Sequence, residues 1–172
     1  LQAAASARFG WSGEKTLEIA QALYSEHTLI TYPRSEFQWL PESAVAEIAL
    51  ILPKLLELAP YQKFSELLAA PVVRQGQRGH FCDKCLKDAS HYAISVNVNA
   101  VGTMRQVLPG LNDDERRLFN LIATRYLAAL APDYKFHSTS ISMPVPLDGQ
   151  LWMFKASGRM PASYGWRAIL GF

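Results

Sequence analysis

Hydrophobic and polar positions along the chain change their period twice. From residue 12 to about 27, Leu17, Ala20, Leu23 and Tyr24 recur at helical spacing, which predicts an amphipathic helix. Ser12 precedes it as an N-cap and Glu14 falls in its first turn. Residues 28–32 form a short β-type run closed by Pro33. A residue before proline is pushed away from helix by the pyrrolidine ring, so Tyr32 is expected to be extended or in a turn. Pro41, Glu42 and Ser43 then open a helix expected over 44–52. Pro53 ends or kinks it, and as a residue tolerated in a first turn it also suits the start of the next helix. Residues 61–69 read as a further short helix, and 71–81 as an exposed, aperiodic loop. The stretch 93–101 fits neither period cleanly.

The strongest helix signal follows. Asn112 and Glu115 have capping-box spacing, and Leu118, Phe119, Ile122, Tyr126, Leu127 and Leu130 make one apolar stripe. The acidic run Asp113, Asp114 and Glu115 suits a first helical turn, where the dipole favours negative charge. After Pro132 the period falls to two. Thr139, Ile141, Met143 and Val145 alternate with Ser138, Ser140 and Ser142. Asp148-Gly149 is a hairpin signal, residues 151–156 form the return strand, and Gly158 is expected to end it. The fold class is therefore α+β and mainly helical. A helical part is expected over 1–131, with a partial antiparallel β segment of a neighbouring domain over 132–172. One hairpin is marginal by itself, so the β part either packs on the helices or belongs to a larger sheet.

Composition narrows the class without deciding it. The 172 residues are 49% apolar and 19% charged, values of a chain that buries a core. No apolar run approaches the ~20 residues that span a bilayer, and LQAAASARFG is not built like a signal peptide. The chain opens on Leu1 rather than Met and closes on the apolar run WRAILGF, as expected of a piece of a longer protein. A formal net charge of +2 neither demands nor excludes a nucleic-acid partner. Two cysteines make no disulfide framework and suit the cytosol.

Candidate chemistry centres on Ile30-Thr31-Tyr32-Pro33-Arg34-Ser35-Glu36. A free phenol has a pKa near ~10, so roughly one in a thousand is ionised at neutral pH. As a nucleophile Tyr32 needs a base, or a cation that stabilises phenolate and the transition state. In an extended segment Arg34 shares its face, and a guanidinium grips a phosphate through two donors. Residue types alone favour an ordinary packed ring at Tyr32.

Wider context changes that balance. Leu1-Gln2, the small residues 3–6, Leu23-Tyr24, the run from Leu29 to Arg34, and Leu40-Pro41 occur in this order. His91-x-Ala93-Ile94, the FKASG run at 154–158 and GWRA at 165–168 follow. This pattern, which covers nearly the whole chain, resembles the active-site region of type IA DNA topoisomerases, closest to the topoisomerase III branch. The resemblance implies that Tyr32 attacks single-stranded DNA to form a 5′-phosphotyrosine, and that Arg34 holds the scissile phosphate. It implies that His91, Ser35 and Glu36 contact DNA. It implies strand cleavage and religation without ATP, relaxing or decatenating DNA, in a cytoplasmic, nucleoid-associated enzyme with no membrane partner. Mg²⁺ and the general acid belong in that family to a Toprim domain with an Asp-x-Asp motif. No Asp-x-Asp occurs here, so the isolated chain is expected to be inactive. Two departures stand out: Glu36-Phe37 replaces the usual Asp-Ser, and Ser95-Val96-Asn97 follows Ile94 where the family tends to continue with Pro-Thr.

Other constellations carry competing readings. His80, Cys82, Cys85 and His91 have a spacing compatible with zinc, and the alternative function is a zinc-stabilised, non-enzymatic nucleic-acid-binding module. Two incidental loop thiols and no metal are the favoured reading. A divergent segment kept only for protein contacts is a third possibility. Trp11, Tyr24, Phe37 and Trp39 suit base stacking or, more commonly, core lining. Arg74 and Arg78 suit a solvated loop or a phosphate backbone.

Overall fold

A computed structural model describes residues 1–171; Phe172, the end of the WRAILGF run, lies outside the described residues. The helices are α1 (Gln2–Phe9), α2 (Gly13–Ser25), α3 (Ile48–Leu56), α4 (Ala59–Gln62), α5 (Met104–Val107), α6 (Asp113–Leu130) and α7 (Arg167–Leu170). Strands β1 (Lys135–Leu147) and β2 (Gln150–Ser163) form one antiparallel hairpin. The chain is thus α+β and mainly helical.

Packing of α2 against α6 makes the centre of the core. Thr16, Ala20 and Leu23 are buried on α2; Leu118, Phe119, Ile122, Leu127 and Leu130 are buried on α6. Both caps form: Ser12 Oγ accepts the Lys15 N–H, and Asn112 with Glu115 makes a reciprocal capping box. Lys15 on α2 and His27, in the turn just after it, reach Asp114 at 2.7 Å and Glu115 at 3.4 Å, so the acidic first turn of α6 is tied to both ends of its partner helix.

Several boundaries differ from those read in the sequence. Residues 2–9 form α1, which carries no stripe that periodicity could detect; only Ala5 is buried. The helix expected over 44–52 splits into a 3₁₀ turn, Glu42–Val45, and α3. Pro53 sits inside α3, which continues to Leu56 because Ile51, Leu52 and Leu55 are buried together. The helix expected over 61–69 is only the short α4 followed by turns. Gly158 does not end β2; it pairs with Thr139 in mid-strand. The turn Asp148-Gly149 has φ of 50° and 76°, as a two-residue primed turn requires.

The hairpin stands away from the core. Nearly every residue of both strands is exposed, including Ile141, Trp152 and Phe154. The chain then returns: Ile169 of α7 is buried and α7 packs on α6. Gly165 makes this return possible, because it has φ of 46° and a Cβ there would collide with the carbonyls of Pro132 and Asp133.

Residues 71–81 are not a solvated loop throughout. Phe81 is buried, and His80 and Cys82 pair their backbones with Leu40 at 2.8 and 2.9 Å. Arg74 does not present itself to solvent. Its guanidinium donates to the carbonyls of Ala129 (3.1 Å) and Ala131 (2.9 Å) and to Asp133 (2.7 Å), closing the C-terminus of α6. This satisfies helix carbonyls left without intrahelical donors. Arg78 remains exposed.

Arg74→Met keeps the aliphatic stem and removes these charged hydrogen bonds, each worth about 1.5–3 kcal/mol. A loss of roughly 2 kcal/mol or more is expected in urea denaturation, and an unchanged midpoint would rule out the capping role. His80 gives a second check. Burial, and then the Arg74 charge, lower its pKa below the usual histidine value. The unfolded chain therefore binds the proton more readily, and stability should fall as pH drops from about 7 to 5. His80→Gln should flatten that slope in a pH series of denaturation curves.

Candidate active site

The segment that carries Tyr32 is short of regular structure and is held by one partner segment. Ile30 makes an antiparallel bridge with Val96. The Thr31 N–H donates to the Ser95 carbonyl at 2.9 Å, and Asn97 donates to Leu29 at 3.0 Å. Thr31 adds its hydroxyl, which receives the Ser95 N–H at 2.9 Å and donates to the Ala93 carbonyl at 3.3 Å. Farther along, Ala93 donates to Trp39 at 2.9 Å. The Ser35 hydroxyl receives the Phe37 N–H at 3.2 Å and reaches the His91 carbonyl at 3.3 Å. Residues 29–39 and 91–97 are thereby clasped along their length. The isolated bridge is all that forms of the β run expected over 28–32.

The clasp places the Tyr32 ring. Its ring centroid lies 4.1 Å from that of His91, tilted by 36°, and 5.5 Å from that of Tyr24, edge-on. Tyr32 is half-buried, and Pro33 behind it is buried. Among the described residues the Tyr32 hydroxyl has no hydrogen-bond partner. Arg34 and Glu36 are exposed and form no ion pair with each other or with another described residue.

Tyr32 and Arg34 do not line one depression. Bends at Thr31 and Pro33 break the simple alternation of an extended strand. Tyr32 opens on a groove shared with Tyr24, Tyr92, Asn97 and Asn99; Arg34 opens on the next groove, with Gln2, Glu36 and Asp88. His91 and Ser90 border both. The structure thus brings Tyr32 and His91 into direct contact and sets Arg34 one groove away across His91. Ser35 lies at the edge of the same charged groove, with its hydroxyl engaged in the turn. Of the aromatics, Trp11 is buried against Phe9, while Phe37 and Trp39 are half-buried.

Burial raises the pKa of Tyr92, and the nearby Glu47 and Tyr24 raise it further. Tyr126 is raised in the same order by burial and then by Glu47, and its buried hydroxyl lacks a partner. These phenols are held neutral. No sequence signal marks Thr31, Tyr92 or Asn99, and Asn97 stands out only as part of a departure from a motif. Their roles arise from a pairing across about sixty residues, for which no local signal exists.

The cysteines correct the reading of two incidental thiols. Cys82 and Cys85 form a disulfide, with Cα atoms 5.3 Å apart across a 3₁₀ turn, Asp83–Leu86. That turn brings i and i+3 within bridging distance. His80 and His91 lie in different grooves. Among the described residues no group of three His, Cys, Asp or Glu side chains is placed to hold a metal. Asp114 and Glu115 are engaged with Lys15, Arg117, His27 and the Asn112 backbone.

A family model described as DNA topoisomerase matches residues 1–172. The chain belongs to that family. DNA topoisomerase 3 of Salmonella typhimurium is 35% identical over 171 residues, covering 99% of this chain and 24% of that protein. DNA topoisomerase 3 of Bacillus subtilis is 32% identical over 169 residues, covering 98% and 22%. The topoisomerase chain therefore spans about a quarter of the length of the curated relatives it matches. Its fold is similar to part of full-length topoisomerase I from Thermotoga maritima, with a TM-score of 0.63 at 22% identity over 99% of this chain and 26% of that one. Among the described residues no helix is long and apolar enough to cross a membrane.

Thr31 provides the test of the clasp in this topoisomerase segment. Thr31→Val keeps the shape and leaves the buried Ser95 N–H unsatisfied, which costs about 1–3 kcal/mol. Thr31→Ser retains the hydroxyl and should lose less. Equal stability of the two variants in thermal denaturation would remove the hydroxyl from the account.

Proposed function

We propose that this chain is the nucleophile-bearing part of a type IA topoisomerase that cleaves and rejoins single-stranded DNA through Tyr32. The observation that carries the reading is the Tyr32 ring, held between His91 and Tyr24 with its hydroxyl unpartnered and open to a groove. Tyr126 also has an unpartnered hydroxyl, but it is buried in the core; Tyr32 differs in opening on a groove, with the unpaired Arg34 guanidinium in the next one.

In the proposed reaction the Tyr32 oxygen attacks phosphorus. The new oxygen–phosphorus bond forms as the bond to the 3′ oxygen breaks, and the phenolic proton ends on that 3′ oxygen. A phenol is a good enough leaving group for the reverse step, so the bond energy is kept and no ATP is consumed. Arg34 holds the phosphate from the adjoining groove and offsets charge on its oxygens. His91 keeps the ring in place and contacts the backbone between the two grooves. Ser35 and Glu36 shape the edge along which the strand lies.

Residues 1–131 act in this proposal as the moving helical gate, and the hairpin as the first strands of a neighbouring arch. Mg²⁺ and the proton-handling acid come from a Toprim domain elsewhere in the same polypeptide; the residues of this chain do not hold the metal. The purified 172-residue chain should then fail to relax supercoiled DNA.

In the full-length protein, Tyr32→Phe should abolish the covalent DNA adduct and leave single-strand binding nearly intact. A trapped adduct on the Phe variant would show that another residue is the nucleophile. Arg34→Ala should slow cleavage of a labelled oligonucleotide by about a hundredfold or more, since one charge-assisted bond to a transition state is worth ~2.7–4 kcal/mol. Arg34→Lys keeps the charge without the planar fork and should fall between. Cleavage by Arg34→Ala at the parental rate would reduce Arg34 to a surface charge.

A further inference from the structure

We propose that the groove beside Tyr32 is a nucleobase subsite, which reads a nucleotide flanking the cleaved bond through Asn97 and Asn99 and stacks it on Tyr92 or Tyr24. The proposal rests on the strand-cleaving function above and adds a specificity determinant to it.

The two adjoining grooves differ in charge. The one with Arg34 also holds Glu36 and Asp88 and offers formal charge. The one with Tyr32 offers almost none. Apart from His91 on its border it is lined by phenols, hydroxyls and amides, among them Tyr24, Thr28, Tyr92, Asn97 and Asn99. Such groups cannot neutralise a phosphate. They match a base, which has a π face and a neutral edge of donors and acceptors. A volume of about 550 Å³ leaves room for one nucleoside.

The amides are also oriented. Asn97 Oδ1 accepts the Asn99 backbone N–H at 3.0 Å, which fixes the amide plane. Among the described residues the Asn97 amide nitrogen has no partner, and neither has the Asn99 side chain. A donor already fixed in direction loses little freedom on binding. Tyr92 is 42% exposed, so one face of its ring is open for stacking. Because Tyr32 lines the same groove, a base seated here belongs to a nucleotide next to the attacked phosphate.

The test uses the full-length protein and labelled single-stranded oligonucleotides with each of the four bases at the two positions flanking the cleaved bond. The parent should cut the best and worst base at one of these positions at rates differing by about tenfold. Asn97→Ser keeps an oxygen for the Asn99 N–H and loses the amide donor; it should compress that spread to about twofold or less. Asn99→Ala, at an exposed position, and Tyr92→Ala should compress it as well, with thermal midpoints close to the parent. Equal cutting of all four bases by the parent overturns the proposal, as does a spread that survives in folded Asn97→Ser and Asn99→Ala. Tyr32→Phe is run alongside. An adduct that persists there overturns the cleavage reading itself; an adduct lost there, with the spread unchanged in the asparagine variants, overturns the subsite alone.

Discussion

The position of Tyr32 depends on one non-local pairing, that of residues 29–39 with 91–97. Neither segment forms a helix or a full strand, so neither satisfies its own backbone groups. Each does so through the other, and Thr31 contributes both its N–H and its hydroxyl to the exchange. The residues joined are 62 and 64 apart in sequence, and closing such a loop costs chain entropy. The cost is offset where the intervening chain is itself packed. Ile51, Leu55, Tyr61 and Phe81 all enter the core between the two segments. The geometry of a half-buried tyrosine is therefore set by residues far from it.

A second layer of ties holds the clasp to the helical body. Leu40 pairs with the 80–82 segment, whose continuation carries the disulfide, and Asp83 receives the Glu42 N–H at 2.8 Å. Arg74, at the other end of that loop, is fixed to the end of α6. The end of α6 also receives Val72. Thus the loop between α4 and the clasp, although largely exposed, is anchored at both ends to the two elements that matter most for the site.

How much of this was legible in the sequence varies with the range of the interaction. α6 and α2 announce themselves because caps and apolar stripes are local. The hairpin does too, since Asp148-Gly149 forces its own backbone geometry. α1 has small residues on every face and no stripe to detect. Pro53 misleads because burial of Leu52 and Leu55 outweighs one lost helical hydrogen bond. Arg74 and the Cys82–Cys85 pair were misjudged for a related reason: a guanidinium or thiol in a polar loop looks solvent-facing until its partner's position is known. At the candidate site, motif context points to Tyr32, Arg34 and His91, and the structure puts Tyr32 against His91 with Arg34 in the next groove. The asparagines and Tyr92 were not legible, because their significance is only that they share a groove with Tyr32.

The hairpin has a mechanical consequence. Both its strands leave and re-enter the body at one place, beside Pro132 and Gly165. Thirteen residues at about 3.3 Å each give a ribbon on the order of 40 Å long. Such a ribbon is a lever with its fulcrum at the end of α6. A rotation of about 10° at the base carries the tip by roughly 7 Å over that length. Conversely, a force applied at the tip arrives at the base as torque, multiplied by the arm. Arg74 binds Asp133 and the Ala131 carbonyl at that base, so the side chain that finishes α6 also ties down the root of the arm.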